Sequence, residues 1–295
     1  MILVNVMSDL RWIVFDMTRI AHILAATDLT TRSELAIPRA LQLREQLHAT
    51  LTVLHVVEPD LMDDLACHRR NDAESFLSQW IAKLPEKMRT HCSCRVVVGD
   101  AFSAITSQAE AQQAGLIVLG EPGKYRYANL FVGTTTERVV RASPIPVLIV
   151  KAAVREEYRR VLVPFDLSEA AIRALMTGLT IAPLAEVRIV HAWRPPLASL
   201  DRLHAMPDAI RKENEAIRSL IKRKVAGAVA AAQGRVLNID MIEDNPYAVL
   251  RSEYRWPELL AMGTHARGRL TTAMIGSLAL RVLAEAPCDV LVARP

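Results

Sequence analysis

Short apolar runs alternate along the chain with longer segments whose apolar residues recur at helical spacing. Ser33–Leu47 and Ala101–Ala114 show that spacing, and they separate runs that are typical of buried strands. The strand-like runs of the first half are Ile20–Ala26, Leu51–Val57, Cys94–Val98, Leu116–Leu119 and Val147–Val150. This regular alternation predicts a parallel sheet with helices on both faces.

The same order of elements recurs after the short charged segment Lys151–Arg160. Equivalent residues are 136 to 143 positions apart, in the pairs Asp28 and Asp166, His55 and His191, Gly120 and Gly263, and Gly133 and Gly276. Near-constant spacing across a whole half indicates a duplicated domain. We therefore predict two tandem, open, five-stranded parallel sheets, with an N-terminal extension at residues 1–18 and domains at 19–152 and 157–295.

Two local features carry predictions of their own. The polar-rich segment Cys67–Met88 is predicted to be one solvent-facing helix. The last strands of the two halves, Val147–Val150 and Val290–Val292, are short and apolar, and a sheet edge of that kind attracts a partner strand. We expect the two halves to pair through these strands within one chain, and the pattern also leaves a homodimer open.

Charge and composition narrow the classes of partner. The net charge is +4 without a dense basic run, which does not favour nucleic-acid binding. No apolar run approaches the roughly 18 residues of a membrane helix, and the four cysteines suggest no secreted disulfide framework in a chain this long. Residues 1–18 lack the basic lead of a signal peptide. We expect a cytoplasmic protein with no membrane partner.

A loop follows the fourth strand of each half and carries the clearest chemical signal. Gly120 and Gly123 come directly after Leu116–Leu119, and nine residues later Gly133-Thr134-Thr135 opens a helix. Glycines let the backbone approach a ligand closely, and the unpaired N–H groups of a helix start attract anions. The second copy consists of Gly263, Ala266, Gly276 and Ser277. The spacing predicts an anion site in each half.

The residues at the ends of the strands extend that site. In an open parallel sheet, ligands bind beyond the carboxyl ends of the strands, where the strand order reverses. There Asp28 can hydrogen-bond a ribose or base, Val56 can pack against an apolar ring, and the loop after Gly120 can wrap phosphates. No G-x-G-x-x-G follows the first strand, and Glu121 stands where P-loop spacing requires lysine, so these two nucleotide motifs are disfavoured.

The amino-acid sequences in and around both loops also resemble those of a known family. The stretches are Val118-Leu-Gly120 and Phe131-Val-Gly-Thr-Thr135 in the first half, and Met262-Gly-Thr-His-Ala-Arg-Gly268 and Ile275-Gly-Ser277 in the second. With the acid after strand one and the His-Val after strand two, they resemble the universal stress protein family in its tandem form, over about residues 20–295. The resemblance implies a Rossmann-like fold of the adenine nucleotide alpha hydrolase type and, as in many members, bound ATP, with or without Mg²⁺.

The resemblance also implies roles for individual residues. It assigns Asp28 to the adenosine side, Val56 to adenine, and a phosphate-binding set to Gly120, Gly123, Gly133 and Thr134, which Thr135 adjoins. In the second half the matching positions are Asp166, Ala192, Gly263, Ala266, Gly276 and Ser277. Two departures bear on the site: Ala266 replaces the second loop glycine, and Glu121 places a carboxylate in the first loop. Loop spacing favours the first half.

Several of these residues also have a purely structural interpretation. Thr134 and Glu137 form a helix capping box whether or not a phosphate is present. Asp28 and Asp166 can cap the helices that follow them. His55 and His191 lie inside apolar strands with no partner acid in the sequence, which favours a structural role. The group Cys67, His68, His91, Cys92 and Cys94 matches no common zinc spacing.

The sequence therefore predicts a stress-response regulatory or binding protein that holds ATP, or a related adenine nucleotide, in one or both halves. The alternative is a nucleotide-free tandem scaffold with a degenerate crevice that acts through protein–protein contacts. Neither a general base nor a pair of carboxylates at metal-site spacing is visible, so any catalysis would be at most a slow ATPase.

Overall fold

The computed structural model describes residues 19–30, 33–59, 63–121, 134–193, 207–231, 237–264 and 276–295. Over these residues it confirms an α/β fold with mostly parallel strands. The first repeat contains β1 (His22–Thr27), a 3₁₀ turn (Ser33–Leu35), α1 (Ala36–Leu47), β2 (Thr50–Val57), α2 (Asp63–Ala82), α3 (Glu86–Arg89), β3 (Cys92–Val98), α4 (Ala101–Ala111), β4 (Leu116–Gly120), α5 (Thr135–Ala142) and β5 (Val147–Val150).

The second repeat follows the same order of elements. It contains β6 (Arg160–Pro164), α6 (Glu169–Ile181), β7 (Glu186–Trp193), α7 (Pro207–Ala231), β8 (Leu237–Glu243), α8 (Pro246–Glu253), β9 (Leu259–Gly263), α9 (Ser277–Glu285) and β10 (Asp289–Ala293). The alternation of strand and helix therefore holds in both repeats.

The prediction of one helix over Cys67–Met88 is wrong. The helix α2 begins at Asp63 and ends at Ala82, and a separate short helix, α3, begins at Glu86. Pro85 stands immediately before α3. A proline has no backbone N–H and clashes with the preceding turn, so it is disfavoured inside a helix and tolerated at the start of one.

The chain divides into two compact units. The first unit comprises Ile20–Glu157 and His265–Val292, and its strands are ordered β3-β2-β1-β4-β5-β10. Strands β1 to β5 pair in parallel, and β10 joins β5 antiparallel, with Val290 opposite Ile149. The predicted pairing of Val147–Val150 with Val290–Val292 is therefore confirmed.

The second unit comprises Tyr158–Thr264 and Ala293–Pro295. Its strands are ordered β9-β6-β7-β8, all in parallel. The two units are defined by packing, whereas the predicted domain boundaries 19–152 and 157–295 are based on the repeat in the sequence. Those boundaries therefore stay a prediction.

A buried polar network fastens β10 inside the first unit. Asp289 is fully buried, and its Oδ2 lies 3.4 Å from Nε of the buried Arg39 on α1. The backbone amides of Lys151 and Ala152 donate to Asp289 Oδ1 at 2.8 and 3.0 Å. Lys151 Nζ in turn donates to the carbonyls of Leu283 and Ala286 at the end of α9, where the helix dipole favours a cation. One carboxylate and one ammonium group thus tie α1, β5, α9 and β10 together.

Candidate functional site

The sheet of the first unit has a switch point between β1 and β4. The chain proceeds from β1 outward to β2 and β3, and then returns to place β4 on the other side of β1. Because these strands are parallel, Asp28 after β1 and Gly120 at the end of β4 lie at the same edge of the sheet. Val56, near the end of β2, is half-buried at that edge. A crevice at such a point is the usual ligand site of this architecture.

Asp28 is held in a tight turn at this edge. Its Oδ1 accepts hydrogen bonds from the amide and the hydroxyl of Thr30, at 3.0 and 2.6 Å. Partial burial tends to raise the pKa of Asp28, but hydrogen bonds from Ser33, Thr30 and the backbone outweigh it and lower the pKa below its ordinary value. The α1 helix has Leu35 as its N-cap, without a side-chain capping bond, so Asp28 does not cap it.

His55 supports this turn from the neighbouring strand. Its Nδ1 lies 2.9 Å from the carbonyl oxygen of Thr27, the residue before Asp28. The Thr27 hydroxyl contacts the Ser33 hydroxyl at 2.7 Å and accepts from the amide of Leu29, which has a positive φ of 60°. The backbone that carries Asp28 is therefore fixed from both sides.

The helix α5 presents its N-terminus after β4. Thr134 is its N-cap, and the Thr134 hydroxyl accepts from the amide of Glu137 at 3.2 Å, so the predicted cap is confirmed. Thr135 begins the helix and is half-buried. A helix start offers N–H groups and a positive dipole end to an anion. Gly123 and Gly133 lie outside the described residues.

An ion pair that the sequence reasoning missed links two helices of this unit. The guanidinium of Arg138, in α5, donates to both carboxylate oxygens of Asp100 at 3.0 and 3.3 Å and lies 4.5 Å from the ring centre of Phe102. The hydrogen bond from Arg138, followed by those from Ser103, lowers the pKa of Asp100 to about 2. The position of Asp100, directly after Gly99 at the end of β3, could be recognised in the sequence. The ion pair could not, because its partner lies 38 residues away.

The second unit repeats the acid turn. Asp166 Oδ1 accepts from the amide of Ser168 at 3.1 Å, and Ser168, not Asp166, caps α6. Leu167 has a positive φ of 68°, as Leu29 does at the matching position. His191 Nδ1 lies 2.6 Å from the carbonyl oxygen of Phe165, the residue before Asp166. Both repeats therefore build the same turn with the same support.

Gly263, at the end of β9, has a packing requirement of its own. A Cβ atom there would lie 2.4 Å from both the carbonyl carbon of Ala170 and the amide nitrogen of Ala171, in the first turn of α6. Only glycine allows this strand and helix to approach so closely. Ala192 is half-buried near the end of β7. Close packing against α6 therefore explains the glycine at this position without any ligand.

Gly276 and Ser277 belong to the first unit and Ala266 lies outside the described residues. Gly276 is the N-cap of α9 without a side-chain bond, and a Cβ atom there would meet no atom of the described residues within 4 Å. Ser277 is exposed at the first position of the helix. Both residues are thus exposed at the start of α9.

Comparison with known proteins places the whole chain in a family. The model of the universal stress protein family matches residues 19–151 and again 157–294. The chain belongs to the universal stress protein family. It carries two copies of that family's domain in tandem.

Relatives and solved structures agree with this family. A universal stress protein of Mycolicibacterium smegmatis is 21% identical over 294 residues, which cover 92% of this chain and 97% of the relative. The universal stress protein Rv2005c of Mycobacterium tuberculosis is 28% identical over 191 residues, covering 62% of this chain and 63% of the relative. The crystal structure of a universal stress protein from Archaeoglobus fulgidus superposes with a TM-score of 0.65 at 20% identity, covering 94% of this chain and 99% of that one.

Neither a metal cluster nor a membrane helix is found in the described part of this universal stress protein. Among the described residues, no group of three or more His, Cys, Asp or Glu side chains could hold a metal ion. None of the described helices combines the length and apolar character needed to cross a bilayer.

Proposed function

We propose that the first repeat binds an adenine nucleotide, ATP foremost, at the carboxyl ends of β1 and β4, and that binding serves a regulatory role in a cytoplasmic stress response. The observation that carries the proposal is the fixed turn of Asp28 at the switch point, on the edge where β4 ends at Gly120. A switch point with a preset acid favours a ligand with hydroxyl groups. The family resemblance supplies the nucleotide class.

The described residues fit the parts of a nucleotide. The Asp28 carboxylate can accept hydrogen bonds from ribose hydroxyls while its turn remains fixed by Thr30. Val56 offers an apolar contact to the base. The start of α5 at Thr134 and Thr135 offers N–H donors to phosphates. The roles of Gly123 and Gly133 remain predictions of the sequence.

We further propose that the protein binds the nucleotide without hydrolysing it efficiently. The charge on a triphosphate attracts Mg²⁺, and any Mg²⁺ would be held through the phosphates, as Mg²⁺ commonly is. The histidine at this edge, His55, donates through Nδ1 to a backbone carbonyl and supports the turn of Asp28. It is assigned a positioning role and not that of a general base.

The second repeat is the weaker candidate. Lys224, from α7, donates to the carbonyl of Leu167 at 2.6 Å, so a side chain already contacts the turn that carries Asp166. Gly263 is required by packing against α6, which removes one argument for a ligand there. Ala266 also departs from the family pattern at the loop glycine.

Matched variants in the two repeats test the proposal. Asp28→Asn and Asp166→Asn each retain an acceptor for the turn but lose one carboxylate oxygen and the charge. Titration calorimetry with ATP and Mg²⁺ should give one site per chain, at least tenfold weaker affinity in Asp28→Asn, and unchanged affinity in Asp166→Asn. Unchanged affinity in Asp28→Asn, or equal losses in both variants, would contradict the assignment to the first repeat.

A nucleotide-free scaffold is the second candidate, and one observation favours it. Glu121 follows Gly120 directly and is half-buried, with its amide donating to the carbonyl of Val150 at 3.1 Å. A carboxylate at this point repels phosphates. If the scaffold reading is right, Glu121→Gln should reveal ATP binding that the natural chain lacks.

A further inference from the structure

A cavity lies at the edge of the first unit's sheet opposite to the proposed nucleotide site. It has a volume of about 310 Å³ and is lined by Arg44, Glu45, His48, Ala49, Lys87, Thr90 and His91. His48 and Ala49 precede β2, and Thr90 and His91 precede β3. Because β1 to β4 are parallel, these residues lie at the amino ends of the strands, whereas Asp28 and Thr134 lie beyond the carboxyl ends. The two sites are therefore separate.

One of the lining residues is a buried arginine. Arg44, in the last turn of α1, is only 5% exposed. Within the described ranges its side chain makes one hydrogen bond, from Nη2 to the carbonyl of Lys87, at a long 3.3 Å. Among the residues that the structure describes, none accepts a hydrogen bond from the buried Arg44 Nε. A buried charge with so few partners is strongly unfavourable.

The neighbouring groups offer Arg44 little negative charge: Lys87 does most to lower the pKa of Glu45, and the contribution of Arg44 is smaller. The nearby acid Glu45 is engaged by Lys87, whose Nζ lies 3.0 Å from Glu45 Oε1. Arg44 tends to lower the pKa of the Cys92 thiol, but burial dominates and raises that pKa to about 11, so the thiol stays neutral. The carbonyl end of α1 favours a cation but provides no ion-pair partner.

The rim of the cavity carries further donors. His48, Lys87, Thr90 and His91 are all exposed around the buried Arg44, and Glu45 is the one acid among the lining residues. Guanidinium groups match oxyanions in geometry because their N–H groups form a planar fork. The volume lies at the lower end of the roughly 300–1,000 Å³ of ligand pockets, which suits a small ligand.

We propose that this cavity binds a small phosphate-type oxyanion, either inorganic phosphate or the phosphate group of a small metabolite, on Arg44 with Lys87 and the two histidines at its rim. The site is independent of the proposed nucleotide site. Its ligand would neutralise the guanidinium and connect the end of α1 to α3 and the start of β3.

The test is calorimetry with inorganic phosphate and, separately, glycerol 3-phosphate, at constant ionic strength set with sodium chloride. The proposal expects saturable binding that weakens at least tenfold in Arg44→Lys and severalfold in Lys87→Gln, and that tightens in Glu45→Gln because an acid is removed. Tighter binding of glycerol 3-phosphate than of phosphate would identify a metabolite as the ligand, and the reverse would identify the free anion.

Two controls keep this outcome distinct from nucleotide binding. Asp28→Asn should leave phosphate binding unchanged, and melting curves should show that Arg44→Lys is folded. NMR titration should shift the imidazole signals of His48 and His91 and leave that of His55 in place. Absence of saturable binding in the natural chain, or binding that Lys87→Gln and Glu45→Gln both leave unchanged, would overturn the proposal.

Discussion

His55 Nδ1 lies 2.9 Å from the carbonyl oxygen of Thr27, directly before Asp28. A carbonyl can only accept, so the imidazole donates through Nδ1. The second repeat shows the same relationship between His191 and Phe165, directly before Asp166. In both repeats a histidine on the second strand holds the backbone of an acid on the first. The histidines therefore act as positioning residues.

We predict that His55→Ala loosens the Asp28 turn. A hydrogen bond of this kind contributes about 1 kcal/mol, so the Tm should fall by a few degrees. ATP affinity should weaken as well, because Asp28 is no longer held. The control is His68→Ala, on the exposed face of α2, which should change neither quantity. Thermal melting and calorimetry measure both effects. A variant with lower Tm but unaltered ATP affinity would contradict a role of His55 in ATP binding.

The Asp100–Arg138 pair predicts a pH dependence of stability. The pKa of Asp100 is lowered from 3.8 to about 2 by hydrogen bonds from Arg138 and Ser103. A carboxyl group whose pKa is lowered in the folded state stabilises the fold at pH values above its ordinary pKa. That stabilisation is lost as the pH falls from about 4 towards 2. Urea unfolding between pH 2 and 6 should therefore show a shallower acid-side decline in Asp100→Asn and in Arg138→Gln than in the natural chain. Identical slopes in all three proteins would show that the pair is unimportant in solution.

The buried pair of Arg39 and Asp289 should be essential to the stability of the first unit. Asp289→Asn preserves the acceptor for the amides of Lys151 and Ala152 but removes the buried carboxylate charge that faces Arg39. Breaking one partner of a buried pair costs about 3–5 kcal/mol, which denaturant unfolding can measure. The surface pair Arg70–Glu74 provides the comparison, since both side chains are largely exposed. Glu74→Gln should leave the unfolding free energy almost unchanged.

The two glycines of the second loop should respond differently to the same substitution. Gly263→Ala places a Cβ atom 2.4 Å from backbone atoms of Ala170 and Ala171, and such overpacking costs about 1–3 kcal/mol. In Gly276→Ala the new Cβ atom meets no atom of the described part of the chain within 4 Å, and the φ of −62° at this position suits alanine. Its cost should stay below about 1 kcal/mol. Equal unfolding free energies for the two variants would contradict the close approach of β9 and α6.

The sequence predicts the strands and the repeat well for a physical reason. Parallel strands that are buried on both faces appear as continuous apolar runs, as in Ile23–Ala25 and Leu116–Val118, all of which are fully buried. Because these strands could be recognised, Asp28 and Asp166 could be placed directly after the first strand of each repeat. The pairing of β5 with β10 was predictable because an uncovered apolar edge needs a partner.

Other features depend on packing that no local pattern encodes. Arg138 meets Asp100 only because α4 and α5 pack side by side. Arg44 lies four residues after Ala40 and three before Leu47, so helical spacing puts it on the buried face of α1, but the sequence does not show that its charge lies beneath the α3 turn. By contrast, the break before Pro85 could have been predicted from the sequence, because proline is disfavoured inside a helix.

The most direct test of nucleotide binding is the unfolding free energy of the natural chain with and without ATP and Mg²⁺. At a ligand concentration about 100 times the dissociation constant, a single site on the folded state adds roughly 2.7 kcal/mol. We expect such a gain, with saturation as ATP is increased, and its loss in Asp28→Asn but not in Asp166→Asn. No gain beyond that given by sodium chloride at the same ionic strength would contradict it.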